Sequence, residues 1–162
     1  MDIILANNDG EVEAIADLAA IIWHEHFVSI LSMEQIDYMV EKFQSYRALK
    51  EQISEGYEYY QLKVDGELVG YAGIHEVEDA LFLSKLYIRK DCRGQNLSSQ
   101  AFAFLKNLCK ERSLRKIWLT CNKYNSHTLD VYKHFGFETV NTQEADIGNG
   151  FIMDDFIMEY IV

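Results

Sequence analysis

The sequence predicts a single α/β domain, built as a mixed, mostly antiparallel sheet with helices on both faces, and three observations predict it. Apolar residues recur at helical spacing up to about Gly56 and then alternate with period two. The dipeptide Asp65-Gly66, which favours positive φ, sits between two alternating runs as a hairpin turn. From Ala80 onward, strand-like and helix-like runs follow one another, the order that lays helices on the faces of a sheet.

Taken in order, Met1–Ala6 reads as a short strand. From about Glu11, the residues Ile15, Leu18, Ala19, Ile22 and His26 mark one face of a first helix. Ser32 followed by Gln35 is a capping signal for a helix near Met33–Phe43, and Ser45 opens a third helix that ends at Gly56. Tyr57–Val64 and Glu67–His75 are the two arms of the hairpin, and Ala80–Ile88 is the next strand. A Gly-containing turn leads into a helix whose core stripe is Leu97, Ala101, Phe104, Leu105 and Leu108. Lys116–Cys121 then reads as a strand, Ser126–Phe135 as a helix, and Phe137–Thr142 and Phe151–Tyr160 as closing strands.

A chain of 162 residues with no proline, repeat or Gly/Ser-rich linker reads as one domain over 1–162, large enough to bury a core without disulfides or metal. No stretch approaches the roughly 20 apolar residues of a membrane span, and the first residues lack the layout of a signal peptide, so a cytoplasmic location and no membrane partner are expected. Cys92, Cys109 and Cys121 have no C-x-x-C spacing and are expected to be free thiols. His24 and His26, two apart on a helix, point to different sides, so no metal site is expected. A net charge of −11 argues against nucleic acid as a partner. The distribution qualifies this: nine of the 15 Lys and Arg lie within 85–116, beside only two acids. Such an island suits either a small polyanion or a solvated helix face.

Two segments carry candidate chemistry. Leu86 to Ser99 passes from strand through a polar loop into a helix start, where unpaired N–H groups and the helix dipole favour phosphate. Gly94 and Ser98 permit close approach, Asn96 tolerates positive φ, and Arg93 adds charge-assisted bonds. The same pattern also suits an ordinary strand–helix joint. In the second segment Asn125, Thr128 and Tyr132 fall on one helix face. Tyr132 reads either as a proton donor to a thiolate or as a core tyrosine.

Together these segments resemble the GNAT superfamily of N-acetyltransferases, over about Glu67–Phe137. The family's Arg/Gln-x-x-Gly-x-Gly/Ala loop corresponds to Arg93-Gly94-Gln95-Asn96-Leu97-Ser98, in which Arg93 matches while Asn96 and Ser98 depart from the pattern. Its later motif is present as Asn125, Tyr132 and Gly136-Phe137. The resemblance implies acetyl-CoA as co-substrate. The backbone of Leu86, Tyr87 and Ile88 would pair with the pantetheine arm, and Arg93, Gly94, Gln95, Asn96, Leu97, Ser98 and Ser99 would hold the pyrophosphate. Asn125 and Thr128 would complete the cofactor site, and Tyr132 would be general acid. Asn96 keeps a Cβ where the family has glycine, which implies a looser grip on phosphate.

Many members place a Glu on the fourth strand as base, whereas here the strand centre reads Leu83-Ser84-Lys85. Water acting with backbone carbonyls, His24, Glu25, His75 and Glu76 are the alternatives for deprotonating the amine. An aromatic set of Trp23, Phe27, Tyr38, Tyr46, Tyr57, Tyr59 and Tyr60 suits either a cation-stacking acceptor pocket or packing. The Ile117-Trp118-Leu119 strand and the acidic C-terminal strand are similar to the polyamine-acetylating branch. The expected acceptor is a small cationic amine, with a protein N-terminus or lysine, or a non-catalytic acyl-CoA-binding role, as alternatives. A homodimer through the C-terminal strands is the family-level expectation.

Overall fold

The computed structural model describes all 162 residues. A short strand, β1 (Asp2–Leu5), precedes α1 (Asp9–His26) and α2 (Met33–Met39). The capping signals operate as read: the Ser32 hydroxyl accepts from the Gln35 N–H, and the Ser45 hydroxyl from Ala48, opening α3 (Tyr46–Ser54). The second helix differs from the continuous one expected. It ends at Met39 and continues as a single π-helical turn, Val40–Gln44. This wider turn goes with a buried glutamine, since the Gln44 side chain accepts from the Tyr71 hydroxyl at 2.9 Å.

The hairpin follows as β2 (Tyr57–Val64) and β3 (Glu67–Val77), with Asp65 and Gly66 both at positive φ, as the tight turn demands. Then come β4 (Ala80–Ile88), α4 (Leu97–Glu111), β5 (Lys116–Asn122), α5 (Ser126–Phe135), β6 (Glu138–Gly148) and β7 (Phe151–Ile161). The strands form one sheet in the order β1-β2-β3-β4-β5-β7-β6. Every neighbouring pair is antiparallel except β4 with β5.

Both faces are covered. On one, Phe102, Leu105 and Cys109 of α4 and Leu129 and Tyr132 of α5 pack on Leu81, Leu83, Ile117 and Met158. On the other, Ile15, Ala19 and Ile22 of α1 pack on Tyr59 and Tyr71. The stripe of α4 is rotated slightly from the one expected: Phe102 and Cys109 are buried, whereas Phe104 and Leu108 are only partly so. Cys92, Cys109 and Cys121 are free thiols. No helix is long and apolar enough to cross a membrane.

Close packing of β3 against β4 fixes the sheet centre. A Cβ on Gly70 would lie 2.5 Å from the Tyr87 carbonyl oxygen, a backbone atom that cannot move aside. Gly70→Ala is therefore expected to cost about 1–3 kcal/mol, the usual range for overpacking. Urea denaturation reads it directly, and a midpoint equal to that of the unsubstituted chain would show that the strands can separate at no cost.

Candidate active site

The site begins where β4 and β5 part. Pairs join Ala80–Phe82 to Lys116–Trp118, and there the ladder stops, although β4 runs on to Ile88 and β5 to Asn122. The strand edges beyond that point have backbone groups that still require partners. A β-bulge at Ser84, between the pairs Gly73–Lys85 and Ile74–Leu83, bends β4 just where the divergence starts.

A cavity of about 340 Å3 occupies the opening on one side. It is lined by Leu86–Ile88 of β4, by Arg93, Gly94 and Asn96 of the following loop, by Leu97–Ser99 at the start of α4, and by Thr128 and Tyr132 of α5. Gln95 lies outside it, and Asn125 lines a second cavity instead. The loop turns by left-handed conformations at Gly94 (φ 80°) and Asn96 (φ 59°). Asn96 is the capping residue of α4 yet its side chain makes no capping bond, which leaves the first N–H groups of that helix free for an anion. Arg93 is anchored beside them, its Nε donating to the Ile88 carbonyl at 3.2 Å.

Much of the basic island is committed elsewhere. Arg89 is held by Asp91 and Glu67, Arg112 by Glu58 and Glu76, Arg115 by Asp79 and Lys116 by Glu159. Arg93 is the basic residue of the island that lines the groove.

At the other wall, the Asn125 amide donates to His26 Nε2 at 3.1 Å, tying the start of α5 to the end of α1. Burial, and then the nearby Arg93 and His127 charges, hold His26 down to about 4, so its ring is neutral and free to accept this bond. Tyr132 is buried, and burial followed by the Cys121 thiol pushes its hydroxyl well above 10. It therefore stays a protonated phenol.

A second cavity, of about 290 Å3, opens on the α1–α2 side and shares Leu86, Tyr87, Thr128 and Tyr132 with the first. Trp23, Phe27, Phe43 and Phe82 supply aromatic walls. Its charged residues are Lys85 and Asp155, both 6% exposed. Lys85 Nζ donates to the Tyr59 hydroxyl at 2.6 Å and to Gln52 Oε1 at 2.8 Å, and burial pulls it down to about 7. Burial, and then the charge of Asp154, push Asp155 up to about 6. Two polar atoms of this cavity are buried with no hydrogen-bond partner, Trp23 Nε1 and Asp155 Oδ1.

Residues 17–137 match the model of the acetyltransferase (GNAT) family. The chain belongs to the GNAT acetyltransferases. It is 34% identical over 80 residues to a Bacillus subtilis (strain 168) protein named for N-acetylation of the alanine of ribosomal protein bS18, covering 49% of this chain and 53% of that one. An N-acetyltransferase of the pepI 3′ region of Lactobacillus delbrueckii subsp. lactis is 31% identical over 87 residues, 48% of this chain and 50% of that one. The chain thus spans about half the length of the curated relatives it matches. In fold, PaiA N-acetyltransferase from Thermoplasma acidophilum, solved with coenzyme A, superposes with a TM-score of 0.82 at 18% identity, over 100% of both chains.

The candidate bases on this GNAT chain do not reach either cavity. His24 is bonded to Asp37 and to the Ala20 carbonyl, each at 2.6 Å, and Glu25 faces solvent. His75 stacks on Tyr57, and Glu76 pairs with Arg112. Of the aromatic set, Trp23 and Phe27 line the second cavity, while Tyr59 touches it through Lys85. No cluster of metal-ligating side chains forms. Sequence reasoning missed Asp155, although a signal existed. Adjacent Asp154 and Asp155 in a strand must face opposite sides, so one carboxylate is turned under a helix.

His26 and Asp155 leave opposite marks on stability. Below about 6.5 the unfolded His26 gains a proton that the folded one refuses until about 4, so the unfolded state binds more protons and acid destabilises. Folded Asp155 takes its proton near 6 against 3.8 for the ordinary group, so acid over that window stabilises. Each effect is expected to be about 2–3 kcal/mol. Relative to the unsubstituted protein, His26→Gln should gain stability as pH falls from about 6.5 to 4, and Asp155→Asn should lose it. Denaturant midpoints across that range check both, and parallel curves would remove the assignment.

Proposed function

We propose that the chain transfers the acetyl group of acetyl-CoA to the primary amine of a small acceptor that carries one ammonium. The observation that carries this reading is the junction of the two cavities at Leu86, Tyr87, Thr128 and Tyr132, which gives a donor and an acceptor separate entrances to a common wall.

The donor side fits a long ligand with a diphosphate. The free edge of β4 at Leu86–Ile88 offers backbone partners to an amide-bearing arm, as an added strand would use them. Beyond it, the first N–H groups of α4 and the Arg93 guanidinium gather donors for phosphate oxygens. Asn96 enters the left-handed region that glycine occupies in the family pattern, so the turn is kept while a Cβ is added. When bound, acetyl-CoA supplies an activated thioester carbonyl. Tyr132, held as a neutral phenol at the junction, is positioned to protonate the departing sulfur. Orientation of the two reactants along one wall supplies much of the rate.

The acceptor cavity has mainly apolar walls and a single buried carboxylate, which suits one ammonium on an apolar body better than a polyamine. A second reading, the N-terminal alanine of a protein, is favoured by the Bacillus subtilis relative. Spermidine, a set of monoamines and an alanine-terminated peptide, assayed side by side with acetyl-CoA, separate these acceptors.

Acetyl-CoA at about 100 times its Kd should stabilise the protein by roughly 2.7 kcal/mol, a rise in Tm on the order of 5–10 °C, whereas ATP should give none. Equal shifts with both ligands would reduce the groove to a general phosphate site. Tyr132→Phe should keep that shift and lower kcat by about 10²–10⁴-fold. Unchanged turnover in that variant would remove Tyr132 from the chemistry, and a wild-type chain that binds acetyl-CoA but turns over none of these amines would favour a non-catalytic binding module.

A further inference from the structure

The acetyl-transfer reading requires that an ammonium lose a proton before attack, and none of the side chains nominated from the sequence reaches the cavity where this must happen. We infer that Asp155, projecting from β7 into the acceptor cavity, binds the acceptor ammonium and takes its proton, so that the base of this enzyme lies on the strand beyond β5 and not on β4. The inference rests on the proposed function and adds the residue that function lacks.

Three observations carry it. Asp155 is 6% exposed and its Oδ1 has no hydrogen-bond partner, although buried carboxylates are otherwise paired. It lines the same cavity as Tyr87 and Tyr132, the residues shared with the donor groove. The cation whose charge acts on Asp155 is engaged with its neighbour: Lys123 Nζ lies 2.6 Å from Asp154 Oδ1 on the opposite side of the strand. Tyr87 from β4 and Cys121 from β5 lie near Asp155, with Gln143 opposite it on β6, while the charges of Asp154 and Lys123 act on it from the other side of the strand. Tyr87 and Cys121 carry no charge at neutral pH, since burial raises both, and Tyr132 on α5 is likewise a neutral phenol. Lys85, across the cavity, is anchored to Tyr59 and Gln52. A ligand ammonium is therefore the missing partner of the Asp155 carboxylate. Its pKa, raised by burial to about 6, still leaves it ionised at neutral pH and makes it a better base than a solvated carboxylate.

The step balances as follows. Asp155 Oδ1 accepts one proton from R–NH3⁺, leaving R–NH2. The nitrogen lone pair forms the C–N bond at the thioester carbonyl, and collapse of the adduct breaks the C–S bond as Tyr132 protonates the sulfur. The amide nitrogen sheds its surplus proton to the Tyr132 phenolate, and protonated Asp155 returns its own to water.

The test compares wild type, Asp155→Asn and Asp155→Glu for kcat/KM against pH, with acetyl-CoA and the best amine of the set above, beside acetyl-CoA thermal shifts. Asp155→Asn is expected to keep the shift, to melt no lower than wild type at pH 7–8, and to lose about 10²–10⁴-fold in kcat/KM near neutrality. The deficit should shrink above the pKa of the acceptor, where the amine arrives already neutral, and Asp155→Glu should recover part of it. A deficit equal at every pH makes Asp155 structural, and an undiminished rate excludes it; both overturn the inference while leaving acetyl transfer standing. Wild type without turnover of any amine overturns both readings together.

Discussion

The divergence of β4 from β5 is the constraint on which the rest of this structure depends. A parallel pair that stopped being a pair would ordinarily be a liability, because each freed N–H and C=O must be satisfied. Here the bulge at Ser84 bends β4 away after three paired residues, while β5 stays fully paired to β7 on its other side. One strand is thus released and the other held. The strands flanking the opening are each held from behind, β4 by the close approach of Gly70 and β5 by seven pairs with β7.

Both cavities are hung on that opening from different elements. The loop after β4 and the start of α4 face one end of it, α5 covers the middle, and α1, the π-helical turn and β7 enclose the other side. The bond between His26 and Asn125 joins the first helix to the last across 99 residues of sequence. A half-buried neutral histidine is what lets these two helices meet without charge. The same economy shows in the electrostatics: four residues of the basic island neutralise local acids, while Arg93 stays at the groove.

Much of this was legible in the sequence. The strand limits of β4 and the helix limits of α5 agree with the periodicity, because both are bounded by residues whose local preferences and tertiary roles coincide. The left-handed Asn96 was legible for the same reason, as few other residues with a Cβ accept that conformation. The π-helical turn was not, since a buried Gln44 needs a distant tyrosine to explain it. Nor was the second cavity. Its two buried charges come from strands 70 residues apart in sequence and acquire their character only from burial. His24, His75 and Glu76 looked available as bases because nothing local reveals that Asp37, Tyr57 and Arg112 engage them.

Lys85 has a consequence of its own. An amine pulled down by burial to about 7, lining the cavity proposed for the acceptor, is chemically similar to the group that the enzyme would acylate. The hydrogen bonds to Tyr59 and Gln52 engage its nitrogen. Tyr59 on β2 and Gln52 on α3 thus occupy the one lysine amine that lines this cavity, so that the interior nitrogen is already spoken for before any ligand amine enters.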